Sequence, residues 1–227
     1  ILYYPTPTIE HNFEEEVFST EVDLRVIVLN PGIDEAVLYF GGNADSMALN
    51  ASELFFALPN LSIYLLNYRG YGGSGGKPTE AGLYADALFI FDELSRRHEK
   101  VHVVGRSLGS GVATYVASER DVGKLVLITP FDSVARVAQA RYLVYPASLM
   151  VRDPHDSINR AIRIQSETLL LIAEHDRVIP KAHSLELAEA LSHVSPIIQV
   201  LDDVGHNTIS LHKCYYPLMR DFFRIAR

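Results

Sequence analysis

The pentapeptide Gly105-Arg106-Ser107-Leu108-Gly109 constrains this chain more than any other stretch. It follows an apolar run, Val101-His102-Val103-Val104, that reads as a strand, and opens the small-residue stretch Gly111-Val112-Ala113-Thr114-Tyr115-Val116-Ala117, which reads as a helix. A G-x-S-x-G motif in that setting must turn sharply from strand to helix. Its serine is held in a strained conformation, and bulky residues two places away on either side would clash. The hydroxyl then stands at the rim of a sheet, above a helix N-terminus whose free N–H groups favour developing negative charge. Ser107 is therefore the candidate nucleophile.

Three other patterns match a motif without its context. Gly72-Gly73-Ser74-Gly75-Gly76 also satisfies G-x-S-x-G, and Gly70-Tyr71-Gly72-Gly73-Ser74-Gly75 satisfies G-x-G-x-x-G. Lys77-Pro78 follows at once, so no helix starts there and the run reads as a loop. A dinucleotide site also needs an acidic residue ending a second strand about twenty residues on. Asp86 and Asp92 fall instead in an amphipathic helical stretch. His98-Glu99-Lys100-Val101-His102 is a literal H-E-x-x-H, but zinc binding needs both histidines on one helix face. Here the pattern straddles a helix end and the next strand, so it reads as a polar turn with no metal.

Short apolar runs at 36–40, 62–66, 101–104, 124–128, 168–173 and 197–201 have the look of buried parallel strands. Runs at 16–19 and 22–29 read as an opening strand pair. Helical stretches near 48–57, 79–97, 108–119, 181–191 and 209–225 alternate with them, which predicts an α/β fold with a mostly parallel eight-stranded sheet flanked by helices. The length of 227 residues fits a single domain, 1–227. One insertion, 132–167, breaks the rhythm and reads as a helix plus a short lid carrying Tyr142, Leu143, Tyr145, Pro146, Leu149 and Met150.

A net charge of −8 argues against nucleic acid or an anionic membrane as partner. The one cysteine, Cys214, allows no internal disulfide and is expected to pack in a helix. No apolar run approaches the roughly 18 residues a membrane span needs, so the expectation is a soluble, cytoplasmic domain. The start at Ile1 leaves room for an upstream signal or anchor, through which alone membrane association would arise.

A nucleophilic serine needs a base, and the base needs an orienting group. After the run 168–173 comes Glu174-His175-Asp176, and after 197–201 comes Asp202-Asp203-Val204-Gly205-His206. Parallel strands end at the same edge, so Ser107, Asp176 and His206 are expected on one rim. Asp132 is the rival acid, but it looks placed to cap the first helix of the insertion. His175 points away from its neighbour Asp176, His183 is expected to face solvent, and Asp202 and Asp203 read as solvated charges. An oxyanion hole needs two backbone donors. The N–H of Leu108 should be one, and the N–H of Asn43, in the loop Gly41-Gly42-Asn43-Ala44-Asp45-Ser46, the other.

These segments, together with Asn67-Tyr68-Arg69-Gly70-Tyr71-Gly72-Gly73-Ser74 and Asp176-Arg177-Val178-Ile179-Pro180, resemble the Bem46-type branch of the α/β-hydrolase superfamily over nearly the whole chain. The resemblance implies serine hydrolase chemistry on small-molecule or acyl-chain esters or thioesters, without metal or organic cofactor. It also implies relatives that remove fatty acyl groups from protein cysteines, several of them with an N-terminal anchor. Two positions depart from the branch: Gly41 stands where histidine is frequent, and Asn67 where aspartate is frequent. A non-catalytic member of the fold that binds a ligand or protein in the same pocket is the alternative reading.

Overall fold

The computed structural model describes residues 2–142 and 150–224. Eight strands form one sheet in the order β1-β2-β4-β3-β5-β6-β7-β8. They are β1 Glu14–Ser19, β2 Asp23–Leu29, β3 Glu35–Phe40, β4 Ser62–Leu66, β5 Lys100–Arg106, β6 Lys124–Ile128, β7 Glu167–Ala173 and β8 Ile197–Leu201. β1 and β2 pair antiparallel, as do β2 and β4, and every other pairing is parallel. The expected mostly parallel, eight-stranded sheet is therefore present.

The α-helices among the described residues are α1 Met47–Ala57, α2 Glu80–Ser95, α3 Leu108–Glu119, α4 Val134–Arg141, α5 Ile158–Ala161, α6 Lys181–Ala190 and α7 Tyr215–Arg224. Strand side chains alternate between two apolar layers, as the period of two requires. Leu38, Val103 and Leu127 meet Ile90 of α2, Val116 of α3 and Leu187 of α6 on one face. Val37, Val104 and Ile128 meet Leu54 of α1 and Met219 of α7 on the other. Among the described residues no helix is long and apolar enough to cross a membrane.

Local chemistry sets several boundaries. Thr79 caps α2 by accepting the Gly82 N–H at 3.1 Å. In the glycine loop, Gly70, Gly72, Gly73 and Gly76 all have positive φ, and Ser74 is buried, donating to Asn67 O at 2.8 Å. Asp86 is committed to a paired hydrogen bond with Arg69 at 2.7 Å to both nitrogens. That accounts for the acidic residue downstream of the glycines.

The structure corrects five expectations. β8 is not a buried strand: as the sheet edge it leaves Ile198 42% and Val200 45% exposed. The helix expected over 209–225 is a 3₁₀ turn, Ile209–Leu211, followed by α7. Pro217 lies in the first turn of α7, where proline is tolerated, and its ring excludes a helical carbonyl at Lys213. Cys214 accordingly sits in a half-buried turn before the helix. Ser133, not Asp132, caps α4, accepting the Arg136 N–H at 3.1 Å. His183 faces inward and is 9% exposed, because its position near the start of α6 points it at Asp132. In the insertion, Tyr142 and Met150 are exposed, while Leu143, Tyr145, Pro146 and Leu149 lie outside the described residues.

Candidate active site

The parallel strands deliver their following loops to one edge of the sheet. Ser107 stands between β5 and α3 with φ 50° and ψ −117°, a conformation unfavourable for a residue with a Cβ. Two glycines make this turn possible. A Cβ on Gly105 would stand 2.3 Å from Gly109 O, and one on Gly109 would stand 2.1 Å from Phe40 O. The helix thus starts directly against the ends of β3 and β5. The Ser107 N–H is anchored to Ile128 O at 2.9 Å.

His206 Nε2 lies 2.8 Å from Ser107 Oγ, and His206 Nδ1 lies 2.7 Å from Asp176 Oδ2. The His206 side chain is 8% exposed and that of Asp176 2%. The other oxygen of Asp176 accepts the backbone N–H groups of Val178 and Ile179, each at 2.8 Å. These two bonds fix the carboxylate and leave Oδ2 for the imidazole. A carboxylate at Nδ1 places the ring proton there, so Nε2 faces the serine as an acceptor. The two loops are tied together by backbone bonds, Glu174 N to Leu201 O and His175 N to Val204 O, both at 3.0 Å. The three expected side chains are thereby brought into one hydrogen-bonded line.

The loop after β3 closes over the serine. A Cβ on Gly42 would stand 3.4 Å from Ser107 Cβ, so the Gly42 backbone passes against the nucleophile candidate. Among the described residues the backbone N–H groups of Asn43 and Leu108 have no hydrogen-bond acceptor. Both polar atoms of the Asn43 side chain are engaged. Its Oδ1 accepts from Tyr4 N at 2.9 Å and from Tyr71 Oη at 2.8 Å, and its Nδ2 donates to Leu2 O at 2.5 Å. The opening segment thus braces the loop, which no sequence pattern announced. Gly41 O accepts from the buried Tyr68 hydroxyl at 2.9 Å. A side chain at Gly41 would meet the flexible end of Met47 at 2.2 Å.

The rival groups are engaged elsewhere. Asp132, fully buried, accepts from Ser133 N at 2.6 Å and contacts His183 Nδ1 at 3.0 Å. His175 is exposed, and Asp202 is exposed and paired with His212 at 2.9 Å. His98 contacts Tyr64 Oη and Ile33 O, each at 2.9 Å, while His102 contacts Glu35 at 3.2 Å. The two histidines of the H-E-x-x-H pattern therefore serve separate structural contacts. Burial is the largest influence on the His102 imidazole, holding it below its usual pKa. Among the described residues, Glu174, His175 and Asp203, all exposed, form the only group of three whose metal-capable atoms all lie within 4.8 Å of one another.

A cleft of about 1070 Å³ runs beside the opening segment, lined by Leu2, Tyr3, Val134, Ala138, Tyr142 and Met150 among others. A smaller cavity of about 370 Å³ lies at the opposite edge, where Glu35, Lys100, Lys124 and Glu167 begin their strands.

The chain resembles several known proteins. It is 35% identical over 182 residues to an uncharacterised protein of Mycobacterium tuberculosis, an alignment covering 78% of this chain and 64% of that one. It is 31% identical over 202 residues to the alpha/beta hydrolase domain-containing protein aho-3 of Caenorhabditis elegans, covering 85% of this chain and 58% of that protein. The chain thus spans under two thirds of these relatives' length. An esterase of Pyrococcus furiosus superposes with a TM-score of 0.73 at 21% identity, covering 98% of this chain and 97% of the esterase. A likeness at that identity is one of fold. Residues 31–164, more than half of the sequence, match the model described as Alpha/beta hydrolase family. Strand order, elbow and family match agree, and the chain belongs to the alpha/beta hydrolase family.

Proposed function

We propose that this chain is a serine hydrolase that cleaves carboxylic ester or thioester bonds through an acyl-enzyme. The observation that carries the reading is the unbroken hydrogen-bond line from Asp176 through His206 to Ser107. Ser107 Oγ attacks the acyl carbonyl while His206 Nε2 takes its proton, and Asp176 stabilises the resulting imidazolium. The tetrahedral oxygen is received by the N–H groups of Leu108 and Asn43, two donors left without another acceptor. His206 returns its proton to the leaving alcohol or thiol. Water, deprotonated by the same imidazole, then releases the acid. Every step uses side chains and amides of this chain.

The cleft beside Leu2, Val134 and Met150, apolar apart from Lys77, Arg152 and Asp153, suits the hydrocarbon part of an acyl substrate. This is in keeping with the Bem46-type resemblance of the sequence. The direct test is labelling by a fluorophosphonate probe, with the modified residue located by mass spectrometry. Labelling at Ser107, absent from Ser107→Ala, is the expected result; a labelled Ser107→Ala protein would place the nucleophile elsewhere. A series of p-nitrophenyl esters and acyl thioesters of increasing length, read as kcat/KM, then identifies the acyl group.

A further inference from the structure

Arg106 fills the variable position of the elbow, directly before Ser107, and its guanidinium crosses to the loop after β3. Its Nη1 lies 3.2 Å from Asp45 Oδ2 and 3.4 Å from Oδ1. Asp45 Oδ2 also accepts the Gly42 N–H at 2.8 Å, and the Asp45 N–H returns to Gly42 O at 3.3 Å. Ala44, with φ 61°, closes this turn. The side chains of Arg106 and Asp45 are 11% and 21% exposed, so solvent and salt screen them less than a surface pair.

The arrangement has a directional consequence. In a trans peptide the C=O and N–H point to opposite sides. Gly42 O is drawn toward Asp45 N, so the N–H across the same peptide, that of Asn43, is aimed the other way. The Gly42 backbone meanwhile passes against Ser107. A loop opening on Gly41-Gly42 has wide backbone freedom of its own, and an oxyanion donor is effective only if it is already in place when charge develops.

We infer that Arg106 and Asp45 are positioning residues. Their ion pair ties the Gly42–Asn43 peptide to the strand end that carries Ser107, so that nucleophile and oxyanion donor keep one separation. This inference rests on the hydrolase reading above. Neither side chain touches the reacting atoms; both act through the loop.

The test compares wild type with Arg106→Gln, Asp45→Asn, their double variant and Arg106→Lys. Readouts are kcat and KM on a p-nitrophenyl ester and inhibition by a matched pair of compounds, a trifluoromethyl ketone and an amide. Ser107 Oγ adds to the ketone carbon, its proton passes to His206, and the former carbonyl oxygen becomes the oxyanion; the amide binds without adding. Each single variant should lose about tenfold to a hundredfold in kcat, with KM changed by less than about twofold. Ketone inhibition should weaken by the same factor, while amide inhibition holds. Arg106→Lys should recover part of the loss, and the double variant should lose no more than the worse single one. A kcat near wild type, equal weakening of ketone and amide, or additive losses would overturn the inference. If Arg106→Gln fails to fold, the nearly isosteric Asp45→Asn carries the same comparison. A wild-type chain that neither turns over esters nor binds the ketone overturns the hydrolase reading and this inference with it. Active wild type with unaffected variants overturns this inference alone.

Discussion

His183 Nδ1, near the start of α6, lies 3.0 Å from Asp132 Oδ1, a buried imidazole–carboxylate contact beyond the same sheet edge as the Asp176–His206 pair. Only His206 reaches a serine; among the described residues no hydroxyl is bonded to His183. The two pairs should therefore separate under mutation. Asp176→Asn should lower kcat/KM about a thousandfold or more, since the imidazole loses its tautomer and its counter-charge. Asp132→Asn should change kcat/KM by less than about tenfold and act on stability, because it disturbs a buried contact. Ester kinetics and urea midpoints on both variants decide the matter, and the opposite ranking would make Asp132 the working acid.

Ser107 holds a backbone conformation suited to glycine. Ser107→Ala and Ser107→Gly both lose the hydroxyl, and both should be inactive. Only glycine relieves the strain, so Ser107→Gly should be about 1 kcal/mol or more stabler than Ser107→Ala. Equal unfolding midpoints would mean that the elbow stores no such strain.

Close approach at the start of α3 makes a third expectation. Gly109→Ala pushes a methyl to 2.1 Å from Phe40 O and 2.6 Å from Gly41 O, both rigid backbone atoms. Relief requires α3 to move off β3, costing about 3 kcal/mol and displacing Ser107 from the loop beside it. Chemical denaturation of the purified variant tests this, and wild-type stability would contradict it.

His155 gives a pH expectation with a definite sign. It is wholly buried, with Tyr3 Oη 3.0 Å from Nε2 and Tyr84 Oη 3.0 Å from Nδ1, and burial pulls its pKa down to about 4. An unfolded histidine takes up its proton near pH 6.5, before the folded one does. Between the two values the unfolded state binds more protons, so stability falls as pH drops from about 6.5 to about 4. The loss from this group reaches about 3 kcal/mol. His155→Gln, which does not titrate, should flatten that part of the stability curve. Urea midpoints at pH 7 and pH 5 that shift equally in both proteins would show that another group sets the slope.

Much of the site was legible in the sequence because its residues follow strands whose apolar runs are unmistakable. Ser107 lies between β5 and α3, and the loops of Asp176 and His206 come directly after β7 and β8. Parallel pairing then does the rest. Contacts made by side chains across long separations were not legible. Nothing local to His183 says that it turns inward to Asp132, and nothing in Leu2 or Tyr4 says that they hold Asn43. Arg106 stood in plain view within the motif, but its partner sits 61 positions earlier. The split before α7 was readable from Pro217, whose ring limits how far a helix extends backward.

The half-exposed edge strand β8 has a thermodynamic consequence. His206 follows the one strand in the parallel run that has a neighbour on a single side, and its contact with Ser107 spans 99 positions of sequence. Marginal strands at a boundary detach at lower free energy than the interior. In graded denaturant, the histidine–serine contact should dissolve first, while far-ultraviolet dichroism still reports an almost intact scaffold. Chemical competence would then be the last property gained in folding and the first surrendered.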